Sequence, residues 1–271
     1  MRSAEAGWPA MQPLSGALLG REAPQFEVEA VQQTGSTNAD LLQRARQQQP
    51  RRPLLRAAAH QTAGRGRLGR RWFARPGGAL LFSLAVPMAG AEAQIAAATL
   101  ACGIGAAEAL RALDVPVTLK WPNDLMLGER KLGGVLCELA LDAEGRRTLI
   151  VGVGVNLFLD APTRASIGQP VASLDELAGR RPLSREALIG RMAGAIVETV
   201  RTFEAGGFVP LQSRFMVLFG QRDAPVDLLE LGVRVASGRA LGVDGEGRLL
   251  LATDGGLRVC SAGEVSLRRS R

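Results

Sequence analysis

The sequence contains no tyrosine, a single histidine and, among its 33 basic residues, only two lysines. Without tyrosine there is little to stack on nucleic-acid bases, although the formal net charge of +7 invites that reading. The basic residues are dispersed, and the local clusters at Arg51–Arg52, Arg180–Arg181 and Arg268–Arg269 read as solvated surface; only Arg65 to Arg71 stands apart. Cysteines are few: Cys102, Cys137 and Cys260 are odd in number, far apart and without metal-ligand spacing, so they read as buried thiols. His60 reads as the end of a strand. Long apolar runs are also missing. The longest charge-free stretch lies between Arg75 and Glu92, is broken by Pro76, Gly77, Gly78 and Pro87, and falls short of the ~18 apolar residues of a spanning helix. No basic start followed by an apolar block marks a secretory leader, and the cytoplasm is the expected compartment. A hydrophobic share of 46% over 271 residues excludes general disorder and suggests one large domain with a small appendage, or two domains.

The two lysines, Lys120 and Lys131, fall in one segment, Lys120-Trp121-Pro122-Asn123-Asp124 through Lys131-Leu132-Gly133-Gly134. Lysine is a compact charge that fits beside one oxygen, whereas arginine is a planar fork. In a chain that otherwise uses arginine throughout, these lysines mark a candidate site. Lys120 ends the apolar run Val115 to Leu119 and also fits a strand terminus; Lys131 precedes paired glycines that allow close backbone approach to a ligand.

Along the chain the elements alternate. A strand is expected over Phe26 to Gln32, with cap residues Ser36-Thr37-Asn38 before a helix over Ala39 to Gln48. Strands follow at Leu54 to Ala59 and Ala79 to Pro87, then a buried helix over Glu92 to Leu113. Further strands are expected at Val117 to Trp121, Leu125 to Leu127, Gly134 to Leu141 and Thr148 to Val155. Ala161 to Ala172 lacks periodicity and suggests a mobile loop. Ser184 caps a second long helix carrying Leu188, Met192, Ile196, Val200 and Phe203 on a core face. From Pro225 onward, short strands broken by Asp244-Gly245-Glu246-Gly247 and Asp254-Gly255-Gly256 suggest a small all-β barrel. The expected organisation is a poorly ordered or loosely packed tail over residues 1–30, a catalytic domain over 31–224 and a small β-domain over 225–271.

The loop Gln61 to Trp72 contains Gly64-Arg65-Gly66-Arg67-Leu68-Gly69, which formally matches Gly-x-Gly-x-x-Gly. The helix that a dinucleotide site requires cannot follow, because Trp72-Phe73-Ala74-Arg75-Pro76-Gly77-Gly78 comes next. A Walker loop is absent too. What remains is flexible backbone carrying forked cations, suited to an anionic ligand.

Ser36-Thr37-Asn38, Gly64-Arg65-Gly66-Arg67 with Trp72 behind it, Lys120-Trp121-Pro122-Asn123-Asp124, Arg130-Lys131-Leu132-Gly133-Gly134 and Gly152-Val153-Gly154-Val155-Asn156 occur in the order found in the biotin protein ligases, which this chain resembles from about residue 30 to its closing Gly263-Glu264-Val265-Ser266-Leu267. The resemblance implies an α+β fold, with a mixed β-sheet catalytic domain packed with helices as in class II synthetases and a small C-terminal SH3-like β-barrel. It also implies ATP-dependent transfer of biotin to a lysine of biotin carboxyl carrier protein through biotinyl-5'-AMP, with Mg2+ assisting and no metal site made by protein ligands alone.

On that resemblance Ser36, Thr37, Asn38 and Gln61 contact biotin, and Arg65, Gly66 and Arg67 form a loop that closes over it. Lys131, beside Gly134, bridges the biotin carboxylate and the α-phosphate. Trp72, Asn123, Gly154 and Asn156 belong with Arg67 to the adenylate side. Lys131, Arg67 and Asp124 are the catalytic candidates, Asp124 as base, as metal-side carboxylate or as a turn residue. Gly152 and Gly154 either contact ligand or relieve strand crowding.

The chain departs from the family in three places. About 35 residues precede the biotin motif, so a ligase-only form without specific DNA binding is expected, and a homodimer is left open. Leu68 stands where a second arginine is common. Ala161 to Ala172, the expected adenosine-side segment, has no tryptophan for adenine. The rival readings are a lipoate or octanoate ligase or transferase of the same fold and a nucleic-acid binder; the polar Ser36 to Asn38 pocket favours a ureido ring over a lipoyl chain.

Overall fold

The structure, a computed structural model, describes residues 13–89, 94–177, 184–230, 232–262 and 265–269. The chain enters through α1 (Gly16–Glu22), β1 (Glu27–Thr34), α2 (Thr37–Gln47), β2 (Leu54–Gln61) and β3 (Ala79–Met88). It continues through α3 (Ile95–Arg111), β4 (Val117–Lys120), β5 (Asp124–Leu127), β6 (Arg130–Leu141) and β7 (Arg147–Asn156). These strands form one seven-stranded sheet in the order β1-β2-β3-β7-β6-β5-β4. Only the β1–β2 pair is parallel, which makes the sheet mixed.

Alternation along the strands sorts the two faces of the sheet. On β3, Leu80, Phe82, Leu84 and Val86 join the main core, while Ala85 packs with Leu54, Ala140 and Ile150 under Leu41, Leu42 and Ala45 of α2. The main-core face is covered by α3 and by α5 (Arg185–Gly206), which follows α4 (Ala161–Ile167). The two long helices approach closely at Gly105, where a Cβ would lie 2.6 Å from Ala195 O. Glycine is therefore required at that crossing.

After α6 (Val209–Leu218) the chain builds β8 (Pro225–Glu230), β9 (Val233–Val243), β10 (Leu249–Thr253), β11 (Gly256–Cys260) and β12 (Val265–Arg269). They make a five-stranded antiparallel sheet ordered β11-β10-β9-β8-β12. The α+β class and the small all-β unit thus stand as expected. Among the described residues no helix is long and apolar enough to cross a membrane. All three cysteines are free and buried.

Two expectations need correction. Residues 1–12 lie outside the described residues, but the rest of the supposed loose tail is packed: Leu14, Leu19, Ala23 and Phe26 are buried in the main core. Ser15 Oγ caps α1, and Ser15 N donates to the buried Glu186 Oε1 of α5 at 3.0 Å. The stretch from Ala161 is not a bare loop either. Asp160 Oδ1 accepts from Thr163 N at 2.9 Å, Pro162 sits in the first turn, and Gly168 closes α4 with φ 67°. A helix this short shows no periodicity, so only its cap residues betray it.

Candidate active site

The site begins where α2 meets the sheet. Ser36 Oγ accepts from Ala39 N at 3.4 Å and starts the helix, which places Thr37 and Asn38 over β3 and β7. Thr37 N donates to Gln61 Oε1 at 2.7 Å, and Thr37 Oγ1 lies 3.0 Å from the same oxygen and 2.7 Å from Ser83 Oγ. Ser83 Oγ donates to Asn38 Oδ1 at 2.8 Å, and Asn38 Nδ2 donates to Glu138 Oε2 at 2.7 Å. Three oxygen–oxygen contacts are therefore served by two hydroxyl protons, those of Thr37 and Ser83. The cluster is short of donors.

Two glycines of β7 make room for it. A Cβ at Gly152 would lie 2.5 Å from Asn38 Oδ1, and one at Gly154 would lie 2.7 Å from Trp72 Cε2. Side chains there would displace the amide and the indole. Both positions are thus packing requirements of the site's own walls.

The cationic part is set by the β5–β6 hairpin. Lys131 Nζ lies 2.5 Å from Asp124 Oδ1, and Lys120 Nζ lies 3.8 Å from Asp124 Oδ2. Gly134, paired with Asp124 across the ladder, leaves the space beneath this ion pair open: a Cβ there would be 3.6 Å from both Asp124 Oδ1 and Lys131 Cε. Asn123 Nδ2 donates to Val135 O at 3.0 Å and secures the turn before Asp124.

Facing the pair, Gly64 to Trp72 folds back on itself, with Trp72 N donating to Gly64 O at 2.9 Å and Gly66 N to Arg70 O at 2.7 Å. At its tip Leu68 takes left-handed φ 57°. Arg67 Nη2 donates to Ala262 O of the small sheet's connecting segment. Burial pulls the Arg67 guanidinium below its ordinary value; Asp124 opposes the shift and Arg70 adds to it. It nonetheless remains a cation at neutral pH.

A third wall comes from the segment after β7. Asn156 Nδ2 donates to Ala172 O at 3.0 Å, Lys131 N donates to Pro170 O at 3.0 Å, and Ala172 N donates to Lys131 O at 2.9 Å. Residues 170–172 thus run as a short strand beside Lys131. Trp121 Nε1 donates to Gly247 O at 3.1 Å, so the small sheet is fastened to the same turn that carries Asn123 and Asp124. Together these parts enclose a cavity of about 430 Å3, with donor-poor oxygens at one end and cations further in.

Comparison with known proteins settles the affiliation. Residues 30–156 match the Biotin/lipoate A/B protein ligase family and residues 225–268 the Biotin protein ligase C terminal domain. The chain is 31% identical over 261 residues to the Biotin--[acetyl-CoA-carboxylase] ligase of Mycobacterium tuberculosis, covering 92% of this chain and 91% of that one. The chain belongs to the biotin protein ligase family. It is also 36% identical over 212 residues to the Bifunctional ligase/repressor BirA of Salmonella typhimurium, of whose length it spans 65%. A solved structure of the Aquifex aeolicus biotin protein ligase in complex with biotin and ATP superposes with a TM-score of 0.75 at 28% identity, covering 90% of this chain and 99% of that chain.

Within this family member the cavity brings together every side chain singled out from the sequence: Ser36, Thr37, Asn38, Gln61, Arg65, Gly66, Arg67, Trp72, Asn123, Asp124, Lys131, Gly134, Gly154 and Asn156 all line it. Asn156 does so from a buried position, its amide held by Ala172 O. Sequence reasoning missed Ser83, Glu138 and Leu267, and reached Ile167, Gln169 and Val171 only as members of the Ala161 to Ala172 segment. Ser83 is a lone hydroxyl in the apolar run Ala79 to Met88, which is the signal that could have found it. Glu138 is a carboxylate in the middle of β6, and it reaches Asn38 only through tertiary packing. Leu267 lies on the other sheet, and the pattern of either sheet alone contains nothing to assign it. Of the closing family motif, Gly263 and Glu264 lie outside the described residues.

Proposed function

We propose that this chain joins biotin to a lysine of a biotin carboxyl carrier protein, using ATP and passing through biotinyl-5'-AMP. The observation that carries the reading is a single cavity with the donor-poor Thr37–Ser83–Asn38–Gln61 cluster at one end and the Lys131–Asp124 pair under Arg67 at the other. A ureido ring brings N–H donors that the cluster lacks and a carbonyl that the Thr37 or Ser83 hydroxyl can reach. Its valerate chain then directs the carboxylate toward the cations. The bound ligands of the Aquifex aeolicus relative are the same two substrates.

In the first step the biotin carboxylate attacks the α-phosphorus of ATP, the α–β phosphoanhydride bond breaks, and pyrophosphate leaves as biotinyl-5'-AMP forms. Two like charges ~4 Å apart repel by about 4 kcal/mol at an effective dielectric of 20. Lys131 and Arg67 offset that repulsion from fixed positions. The donor set fits a magnesium ion arriving with the nucleotide: Asp124 is the only carboxylate among the described residues lining the cavity, and nucleotide phosphates and water supply most ligands of such an ion. When bound, it neutralises phosphate charge. The mixed anhydride is labile to water, and the Gly64 to Trp72 hairpin, pinned at Arg67, covers it.

In the second step the carrier lysine amine attacks the carbonyl of the mixed anhydride and AMP leaves; for this it must lose a proton whose ordinary pKa of about 10.4 lies some three units above neutrality, a cost of roughly 4 kcal/mol. We assign its acceptance to Asp124 Oδ2, the oxygen facing Lys120 at 3.8 Å, while Oδ1 holds Lys131. Three free, buried cysteines fit a reducing compartment, and we place the reaction in the cytoplasm. The test is exchange of labelled pyrophosphate into ATP. Exchange that depends on biotin and not on lipoate is expected; exchange driven by lipoate, or none with biotin, would remove the proposal.

A further inference from the structure

One side chain holds together the segment that walls the cavity beyond Lys131. Arg164, in the last turn of α4, donates through Nε to Leu159 O at 3.2 Å and through Nη1 to Val171 O at 3.1 Å. Its Nη2 donates to Ser173 Oγ at 3.0 Å and to Glu176 Oε1 at 2.7 Å. The guanidinium therefore ties the start of the segment to its end. Glu176 is held from the other side by Arg130, its Oε2 lying 2.5 Å from Arg130 Nη1, and its Oε1 also accepts from Ser173 N at 3.1 Å. Between these anchors the segment turns Ile167, Gln169 and Val171 into the cavity and lays Pro170 and Ala172 along the main chain of Lys131. Arg164 itself is not among the lining residues.

We propose that Arg164 is a positioning residue for nucleotide binding, fixing the Ile167–Val171 wall and the register of Lys131 without contacting either substrate. The inference rests on the ATP-dependent reading given above. The wall is a run of main chain carrying Ile167, Gln169 and Val171, and the carbonyls of Leu159 and Val171 at its two sides are gathered by one fork. Lysine has all its donors on a single atom and cannot reach Leu159 O, Val171 O and Glu176 together. The Thr37–Ser83–Asn38–Gln61 cluster that holds the ureido ring bonds to Glu138 and within itself and, among the described residues, makes no hydrogen bond to this wall, so biotin affinity should respond less than nucleotide affinity.

The experiment compares the full-length wild type with Arg164→Lys and Arg164→Gln. Biotin-dependent pyrophosphate exchange is expected to show a KM for ATP raised about tenfold in both variants, with the KM for biotin within about threefold of wild type. Hydrogen–deuterium exchange followed by mass spectrometry supplies a readout that needs no activity. Peptides covering 165–177 and 128–136 should exchange faster in the variants, and a peptide from α5 should not. An ATP KM within twofold of wild type, an equal rise in both KM values, or unchanged exchange in the two named peptides overturns the assignment. A wild type without biotin-dependent turnover would instead count against the functional reading, and the exchange measurement would still decide whether Arg164 organises the segment.

Discussion

Asp124 Oδ1 and Lys131 Nζ stand 2.5 Å apart although a complete hairpin turn separates them in sequence. The register places Asp124 opposite Gly134 and Met126 opposite Lys131, with an irregularity between Leu125 and Met126 that brings the lysine back over the glycine. The pair is mostly buried, both side chains keeping a fifth or less of their exposure, at 20% and 15%. Its geometry is specific to a compact ammonium.

Lys131→Arg should therefore impair chemistry while keeping charge. The guanidinium is longer and would engage Asp124 as a fork, drawing its charge away from the carboxylate and phosphate that must meet there. Adenylate formation in a single turnover is expected to fall at least tenfold, about 1.4 kcal/mol of transition-state stabilisation. Normal single-turnover adenylation by this variant would show that Lys131 is not the bridging cation.

Gly152→Ala should damage the biotin end selectively. The new methyl would press on Asn38 Oδ1 and break the path from Ser83 through Asn38 to Glu138. Overpacking of this kind costs about 1–3 kcal/mol. Calorimetry should find biotin affinity reduced by one or two orders of magnitude with a modest loss of thermal stability; unaltered affinity would mean that Asn38 is not a biotin contact.

Trypsin should report on the arginine hairpin. Arg65, Arg70 and Arg71 are exposed, whereas Arg67 is half-buried against Ala262 O. Cleavage at the three exposed sites should slow when biotin is added and slow further with biotin plus ATP. Cleavage rates indifferent to both ligands would argue that the hairpin does not cover the site.

Acid should destabilise the fold partly through Asp142. Burial would raise this carboxyl, but the side-chain and backbone hydrogen bonds from Arg146, the backbone of Gln49 and the Arg146 charge outweigh it, and the group is held below its ordinary value. A depressed folded pKa contributes stability above the unfolded value, near 3.9, and that contribution is lost as pH falls through the folded pKa. Thermal melting from pH 6 down to pH 3 should show wild type losing its advantage over Asp142→Asn, the gap closing only below about pH 4. A gap constant across that range would contradict the assignment.

Arg67→Gly should release biotinyl-5'-AMP and label bystanders more than the enzyme itself. Both lysines of the chain pair with Asp124, so acceptor amines on the enzyme are scarce. In an equimolar mixture with a lysine-rich protein, mass spectrometry should find label mainly on the bystander. Heavy self-labelling at Lys131 would place that lysine outside the reacting centre.

Much of this was legible because strand alternation and cap residues are local. Ser36 and Ser184 mark the starts of α2 and α5, and the expected strands fall within a few residues of those observed. Two of the missed helices share one cause. Both α4 and α6 carry proline in their first turn, where its missing N–H costs nothing, and in sequence that proline looks like a break. The site was legible as a set of residue types and not as a set of contacts. The Asp124–Lys131 pair depends on ladder register, the Ser83–Asn38–Glu138 path on how α2 lies over the sheet, and the fan of bonds around Arg164 on a helix with no periodicity to announce it.

The small sheet reaches the cavity through two carbonyls, Gly247 O on Trp121 and Ala262 O on Arg67, and Leu267 adds to the lining. A ligand that binds only while these attachments are intact adds RT ln(1 + [L]/Kd) to the stability of the sheet as well as of the loop, about 2.7 kcal/mol at a hundredfold excess over Kd. Occupancy and the integrity of the small sheet are then thermodynamically linked. A ligand that requires both attachments would therefore also protect the small sheet from local opening and from a protease that attacks the opened form.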